Sequence, residues 1–311
     1  MKKLTKTIYR NCPICENEFG HIFQVVNGYN IIRCTKCEMV YVDLDLVIAE
    51  KENQLGDEAF DFYYMSEPIY TLAYYDLMLE KIQKHFNNKN IKILEFGCGS
   101  GMFMRRAVKK NIDIYGLDFS PYSKKAKELF NLQIDTNALS NTIYSENQFD
   151  VIISHCTYEH LYSPLETTQK LLKLLNKNGL FIISGVPNFN TITINVFKNF
   201  YNNKPPVHVN HFEIKSLKKL INAAKLETIH TKSYGWNIWF IWFRIKAFLF
   251  QKNKNSGKNP NLKITKRINT FTNFDASIIH RTIAKLYYNL VFPGIGKNLE
   301  IWGVFKDQEK Q

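Results

Sequence analysis

From residue 91 onward, short apolar runs alternate with stretches in which apolar positions recur every three or four residues. This alternation is the signature of a parallel sheet covered by helices. IKILEF (91–96), IDIYGLD (112–118), LQID (132–135), FDVIISH (149–155) and LFIISG (180–185) are predicted as the first five strands. MFMRRAVKK (102–110), PYSKKAKELF (121–130) and PLETTQKLLKLLN (164–176) have helical spacing, with Pro121 and Pro164 at helix-opening positions and Asn178-Gly179 as the stop after the last. ETIHTKSYG (227–235) reads as a sixth strand and NLEIWGVFK (298–306) as a seventh. Ahead of the sheet, EPIYTLAYYDLMLEKIQKHF (67–86) is predicted as a helix. The result is an α/β, doubly wound sheet, whose ligands sit at the carboxyl ends of the strands near the point where strand order reverses.

The first ninety residues follow a different pattern. Cys12 and Cys15 form one pair (NCPIC) and Cys34 and Cys37 another (RCTKC), eighteen residues apart. Two intervening residues let a tight turn present two thiolates to one tetrahedral zinc. The linking stretch 18–33 reads as a hairpin turning at Asn27-Gly28. The alternatives are a redox pair, which needs only one such motif and usually opens a helix, or four unrelated thiols. Four protein ligands close the coordination sphere, so this zinc holds a fold together and performs no chemistry. Cys98 and Cys156 read as small buried residues. The predicted organisation is a zinc ribbon over 1–45, a connecting helical cap over 46–90 and the α/β domain over 91–311.

The first strand ends in Glu95-Phe96-Gly97-Cys98-Gly99-Ser100-Gly101. Glycines at alternate positions permit a tight turn and let backbone approach a ligand, with a helix N-terminus behind it. A dinucleotide fold uses a similar loop, but its third glycine would fall at Phe103 or Met104, and neither fits. Asp118 ends the second strand about twenty residues after the loop, where a carboxylate can accept both hydroxyls of a ribose.

ILEFGCGSG followed by IYGLDFSPYSKKAKELF resembles the first two motifs of class I S-adenosylmethionine-dependent methyltransferases. FDVIISHCTYEHLYSPLETTQKLLKLLNKNGLFIISGVPN resembles the fourth and fifth strands of that family, and HVNHFEIKSLKKLINAAKLETI the segment that follows in one large bacterial branch. That branch often carries an N-terminal CPxC…RCxxC ribbon and is frequent among enzymes that decorate surface polysaccharides and related sugars. The resemblance covers roughly residues 10–235 and the last strand. It implies a seven-stranded Rossmann-like methyltransferase sheet with the seventh strand antiparallel at an edge, and a cytoplasmic enzyme that methylates a small or lipid-linked sugar. By resemblance, Glu95, Gly97, Cys98 and Gly99 face the methionine part of the cofactor, Asp118 the ribose and Phe119 the adenine. Where the family has an acidic residue after the third strand, this chain has Asn137-Ala138. The helix over 67–86 caps the cofactor site.

A methyl transfer is an in-line displacement in which positioning and water exclusion do most of the work, yet a hydroxyl acceptor benefits from a base. His160, after the fourth strand, and His208 and His211, after the fifth, are the candidates; His160 and His208 are the two to test. Relatives that bind a divalent ion through Glu-x-x-Glu-His and a later histidine correspond here to Cys156, Glu159, His160 and His211. Cys156 is a weak ligand for a hard ion, which argues against a catalytic metal.

Between the last two strands, 236–297 forms an insertion. WNIWFIWFRIKAFLF (236–250) is aromatic-rich, and the next twenty residues carry six basic residues and no acid. Such a segment suits an interfacial helix against anionic headgroups, but its apolar residues surround the helix and better suit a cap or a homodimer contact. With 311 residues, 45% hydrophobic and 22% charged, the chain can bury a core, and no signal peptide or bilayer span is evident. The net charge of +13 keeps two rivals open. One is an RNA-modifying methyltransferase gripping its substrate through the ribbon, although basic and aromatic residues do not interleave as in RNA readers; the other is a non-catalytic adaptor.

Overall fold

Two sheets organise the chain, and the N-terminal one takes its last strand from sequence far downstream. The computed structural model describes residues 4–53, 69–190, 205–235, 282, 285 and 298–306. The insertion predicted over 236–297, and with it the membrane or homodimer contact, lies outside the described residues apart from two isolated helical positions. No helix among the described residues is long and apolar enough to cross a membrane.

The N-terminal sheet contains β1 (Leu4–Lys6), β2 (Phe19–Val26), β3 (Tyr29–Cys34), β4 (Val40–Asp43) and β10 (Asn210–His211), in that order. Asn27 and Gly28 both have positive φ, 52° and 82°, so the β2–β3 hairpin turns as predicted, with the twist that two-residue connections favour. Strand β10 was not predicted. It pairs Asn210 with Tyr41 and His211 with Val40, and Val42 N–H donates to Val209 C=O at 2.9 Å. Arg10 seals this junction: it donates to Asn210 Oδ1 at 2.9 Å, and its guanidinium lies 4.6 Å from the Tyr162 ring centroid and 5.4 Å from that of Tyr41. After a short helix α1 (Leu46–Asn53), helix α2 (Ile69–His85) crosses to the second sheet.

That sheet has seven strands: β5 (Lys92–Phe96), β6 (Asp113–Leu117), β7 (Ile134–Asp135), β8 (Phe149–His155), β9 (Leu175–Pro187), β11 (Leu226–Tyr234) and β12 (Asn298–Phe305). Their order is β11-β12-β9-β8-β5-β6-β7. Chain order reverses between β5 and β8, which sets the ligand cleft over their carboxyl ends. Ile93, Leu94, Ile152, Ile153, Ile182 and Ile183 are all buried, as strands covered on both faces require. Helices α3 (Met102–Lys109), α4 (Pro121–Phe130), α5 (Pro164–Leu172) and α6 (Ile214–Ala223) complete the layers. Pro121 and Pro164 open α4 and α5 as expected. Helix α2 is tied to α3 by a buried fork: Arg106 Nε and Nη2 donate to the two oxygens of Asp76 at 3.0 and 2.6 Å.

Two expectations need correction. The helix predicted over 164–176 ends at Leu172, and Asn178-Gly179 lies inside β9. Lys173 and Leu174 carbonyls accept from Asn147 and Phe149, and Leu175 pairs with Phe149, so strand pairing captures residues whose spacing was helical. The seventh strand, β12, is antiparallel but interior, between β9 and β11. Leu299 and Ile301 are fully buried there, whereas alternate residues of β11 reach solvent, which suits β11 to the edge.

Candidate functional site

The cleft is built first by the turn from β5 into α3. Gly97 has φ +73°, and a Cβ there would collide with Thr157, so glycine lets this turn lie against the turn that follows β8. Asp118, at the end of β6, holds the loop from beneath: Oδ2 accepts from Gly99 N–H at 2.8 Å and Oδ1 from Ser120 N–H at 2.7 Å. Each oxygen keeps a further lone pair for a ligand hydroxyl. Glu95 is 4% exposed, and its Oε2 has no hydrogen-bond partner among the described residues. Burial, with Asp118 nearby, pushes its pKa well above the usual carboxylate range. Phe119 stands 58% exposed beside these groups, while Cys98 is buried in the core. A buried acid with one open oxygen, a backbone cradle that admits no Cβ, a carboxylate with lone pairs to spare and an exposed ring fit an aminoacyl nucleoside such as S-adenosylmethionine.

Asn137 and Ala138 lie in a loop whose anchor was missed in the sequence. Asp135, buried at the end of β7, accepts from Asn137 N–H and Nδ2 at 3.0 and 2.8 Å, Thr142 Oγ1 at 2.7 Å and Ile143 N–H at 2.9 Å. These bonds hold its pKa down against burial, and an aspartate ending a short strand was the available signal. Ala138 C=O accepts from Asn141 N–H and starts a single 3₁₀ turn.

On the other side of the cleft the segment after β8 meets the segment that leads into β10. Glu159 C=O accepts from Val209 and Asn210 N–H, and the Asn210 amide donates to Tyr158 and Leu161 carbonyls. His208 is thereby set edge-on to His160, with ring centroids 4.8 Å apart. Glu159, His160 and His208 bring ligand atoms within 4.8 Å of one another. The later histidine of that group is therefore His208. His211 instead lies in β10, buried and stacked on Phe189 at 5.1 Å, where burial drives its pKa down to about 3. Cys156 corrects another expectation: it is exposed, with φ 52°, because it is the first residue of the turn beyond β8.

His160 Nδ1 lies 2.9 Å from Val207 C=O. A carbonyl only accepts, so Nδ1 carries the proton and Nε2 the lone pair. Burial lowers the His160 pKa and keeps the ring neutral, and it raises that of Glu159 to about 8.

The four ribbon cysteines converge as their spacing predicted. Cys12 and Cys37 sulfurs are 3.3 Å apart, Cys15 and Cys34 sulfurs 3.6 Å, and all four lie within 4.8 Å of one another. A tetrahedral site with Zn–S of about 2.3 Å has edges of about 3.8 Å, so the set fits zinc. Hydrogen bonds from Cys12 and Cys37 pull Cys34 far below the ordinary thiol range, and Lys219 Nζ donates to Cys37 C=O at 2.7 Å.

A family model described as a methyltransferase domain matches residues 70–231, more than half of the chain. A ubiquinone biosynthesis O-methyltransferase of Rickettsia bellii is 26% identical over 115 residues, 35% of this chain and 48% of that protein. A malonyl-[acyl-carrier protein] O-methyltransferase of Ilyobacter polytropus is 24% identical over 156 residues, 48% of this chain and 55% of that protein. The chain thus spans about half the length of the curated relatives it matches. Among solved structures, a SAM-dependent methyltransferase from Archaeoglobus fulgidus aligns with TM-score 0.45 and 16% identity, covering 74% of this chain and 93% of that one. A possible histamine N-methyltransferase from Thermotoga maritima aligns with TM-score 0.46 and 15% identity, covering 76% and 92%. The strand order and the glycine loop between its two carboxylates agree with the match over residues 70–231, and the chain belongs to the methyltransferase-domain family.

Proposed function

We propose that this protein transfers a methyl group from S-adenosylmethionine to a hydroxyl of a small or lipid-linked sugar, with Cys12, Cys15, Cys34 and Cys37 holding a structural zinc. The observation that carries the reading is the placement of buried Glu95, whose Oε2 has no hydrogen-bond partner among the described residues, and of Asp118 on either side of the Gly97–Gly101 turn. S-adenosylmethionine, when bound, supplies a methyl group on a sulfonium. Glu95 takes its ammonium end, the Gly97, Cys98 and Gly99 backbone its methionine chain, Asp118 its ribose, Phe119 its adenine face, and the Asn137-Ala138 loop the adenine edge. His160 is the proton acceptor, since Val207 fixes its tautomer and leaves Nε2 unprotonated; His208 supports it edge-on. A hydroxyl-rich acceptor suits the polar groups of this side, and the ribbon resembles that of sugar-modifying relatives.

The test is methyl transfer from radiolabelled S-adenosylmethionine to a panel of nucleotide-diphosphate hexoses. The expected result is turnover on at least one, with His160→Gln lowering kcat by about 10²-fold or more and S-adenosylhomocysteine affinity unchanged. His208→Ala should give a smaller loss. Normal turnover by His160→Gln would remove His160 from the chemistry.

A further inference from the structure

The seven-stranded sheet carries a row of polar residues where apolar ones would be expected. Lys232 of β11 pairs with Glu300 of β12, Glu300 with Ser184 of β9, and Ser184 with His155 of β8. Directly paired residues share a face, so the row runs from an edge strand to the carboxyl end of β8, beside the point where chain order reverses. Glu300 and Ser184 are fully buried. A buried carboxylate is costly unless its oxygens are bonded, and here both are: Oε1 accepts from Trp302 Nε1 at 2.9 Å and Oε2 from the Tyr74 hydroxyl at 3.1 Å. Lys81 and Lys232 also feel the Glu300 charge, which opposes the lowering of their pKa values by burial.

The contacts continue without a break. Tyr74 Oη lies 2.7 Å from Ser184 Oγ, and Ser184 Oγ lies 3.2 Å from His155 Nδ1. With Tyr74 donating to Glu300, a single donor assignment makes both remaining contacts hydrogen bonds. Tyr74 has a single proton and gives it to Glu300. Its oxygen must then accept from Ser184, which has spent its own proton and must accept from His155. The proton of the imidazole is thus on Nδ1, and the lone pair is on Nε2. Gly185 makes room for this arrangement: it has φ +75°, and a Cβ there would come within 2.6 Å of His155 Cε1 and 2.8 Å of Nδ1. The ring edge that carries Nδ1 is therefore turned to β9, which leaves the Nε2–Cδ2 edge facing away from it. Tyr75 of α2 holds the ring edge-to-face at 5.0 Å. Thr157, two residues on, abuts Gly97 of the cofactor loop.

We propose that His155 determines acceptor specificity: its Nε2, kept unprotonated by the Ser184–Tyr74–Glu300 chain, accepts a hydrogen bond from a hydroxyl or N–H group of the acceptor and fixes which atom faces the methyl donor. This rests on the methyl-transfer reading above and assigns to His155 a role separate from proton removal by His160. Burial lowers the His155 pKa to about 4, so the ring stays neutral over the working range of pH. Ser184 and Tyr74 are positioning residues that act through His155.

Nitrogen-15 NMR of the full-length protein, labelled at histidine and saturated with S-adenosylhomocysteine, reads the tautomer at neutral pH. The expected result is the Nδ1–H tautomer for His155, a shift toward Nε2–H in both Ser184→Ala and Tyr74→Phe, and recovery in Ser184→Thr. His155→Phe should raise KM about 10-fold or more for any nucleotide-diphosphate hexose that the parent protein methylates, with kcat changed less. S-adenosylhomocysteine affinity should match the parent in all four variants, which separates the chain from general damage to the fold. An Nε2–H tautomer in the parent, spectra unmoved by Ser184→Ala and Tyr74→Phe, or an unchanged KM in His155→Phe would overturn the proposal. Absence of turnover by the parent on the whole panel would overturn the sugar reading instead, and the spectra would then decide the hydrogen-bond chain alone.

Discussion

Asp118→Ala should weaken S-adenosylhomocysteine binding by on the order of 100-fold, near the upper end of what one lost charged hydrogen bond explains. The carboxylate has two jobs: it receives a ribose diol in the proposed complex, and it already anchors Gly99 and Ser120 N–H at 2.8 and 2.7 Å. Removing it costs about 1.5–3 kcal/mol for a hydrogen bond to a charged group, and it also frees the glycine loop from the end of β6. Asp118→Asn is the informative companion. It keeps an acceptor oxygen but replaces the other with an amide that cannot accept from Ser120, so its loss should be intermediate. Calorimetry gives both affinities; parental affinity in Asp118→Ala would remove Asp118 from the cofactor site.

The second large effect concerns the ribbon. Purified protein should contain one zinc per chain, and Cys34→Ser combined with Cys37→Ser should abolish it. Structural zinc sites contribute on the order of 10 kcal/mol of binding free energy that is also folding free energy, so the whole N-terminal sheet should loosen. That sheet ends on β10, next to His208, through Val42 N–H to Val209 C=O. Faster amide exchange is therefore expected at Val42 as well as around the cysteines, with β5 and β8 protected as before. Elemental analysis and hydrogen exchange make the check, and zinc content unchanged in the double variant would contradict the site.

The cysteine cluster and the glycine loop were legible in the sequence because each is local. Two turns with fixed spacing carry the cysteines, and a strand end followed by alternating glycines carries the cofactor loop, so short-range pattern determines both. The junction between the sheets was not legible. Strand β10 is two residues long and pairs with Tyr41 and Val40, about 170 residues earlier, and no periodicity announces so short a strand. The end of α5 was misplaced because Leu174 and Leu175 keep helical spacing, while pairing with Phe149 takes their backbone. His155, Ser184 and Glu300 left a fainter trace. Each is a single polar residue in an apolar strand, in VIISH, FIISG and LEIW, and only the register of four strands with Tyr74 brings them into one chain. Among the described residues of the site the acids Glu95 and Asp118 and the neutral ring of His160 contribute no positive charge to the net +13.

Cofactor binding is tested most directly by calorimetric titration of the full-length, zinc-loaded protein with S-adenosylmethionine. Saturable binding is expected at one site per chain, competed by S-adenosylhomocysteine and weakened by Asp118→Ala. Absence of binding by the folded parent protein, or binding unaffected by Asp118→Ala and by replacement of Glu95, would contradict it.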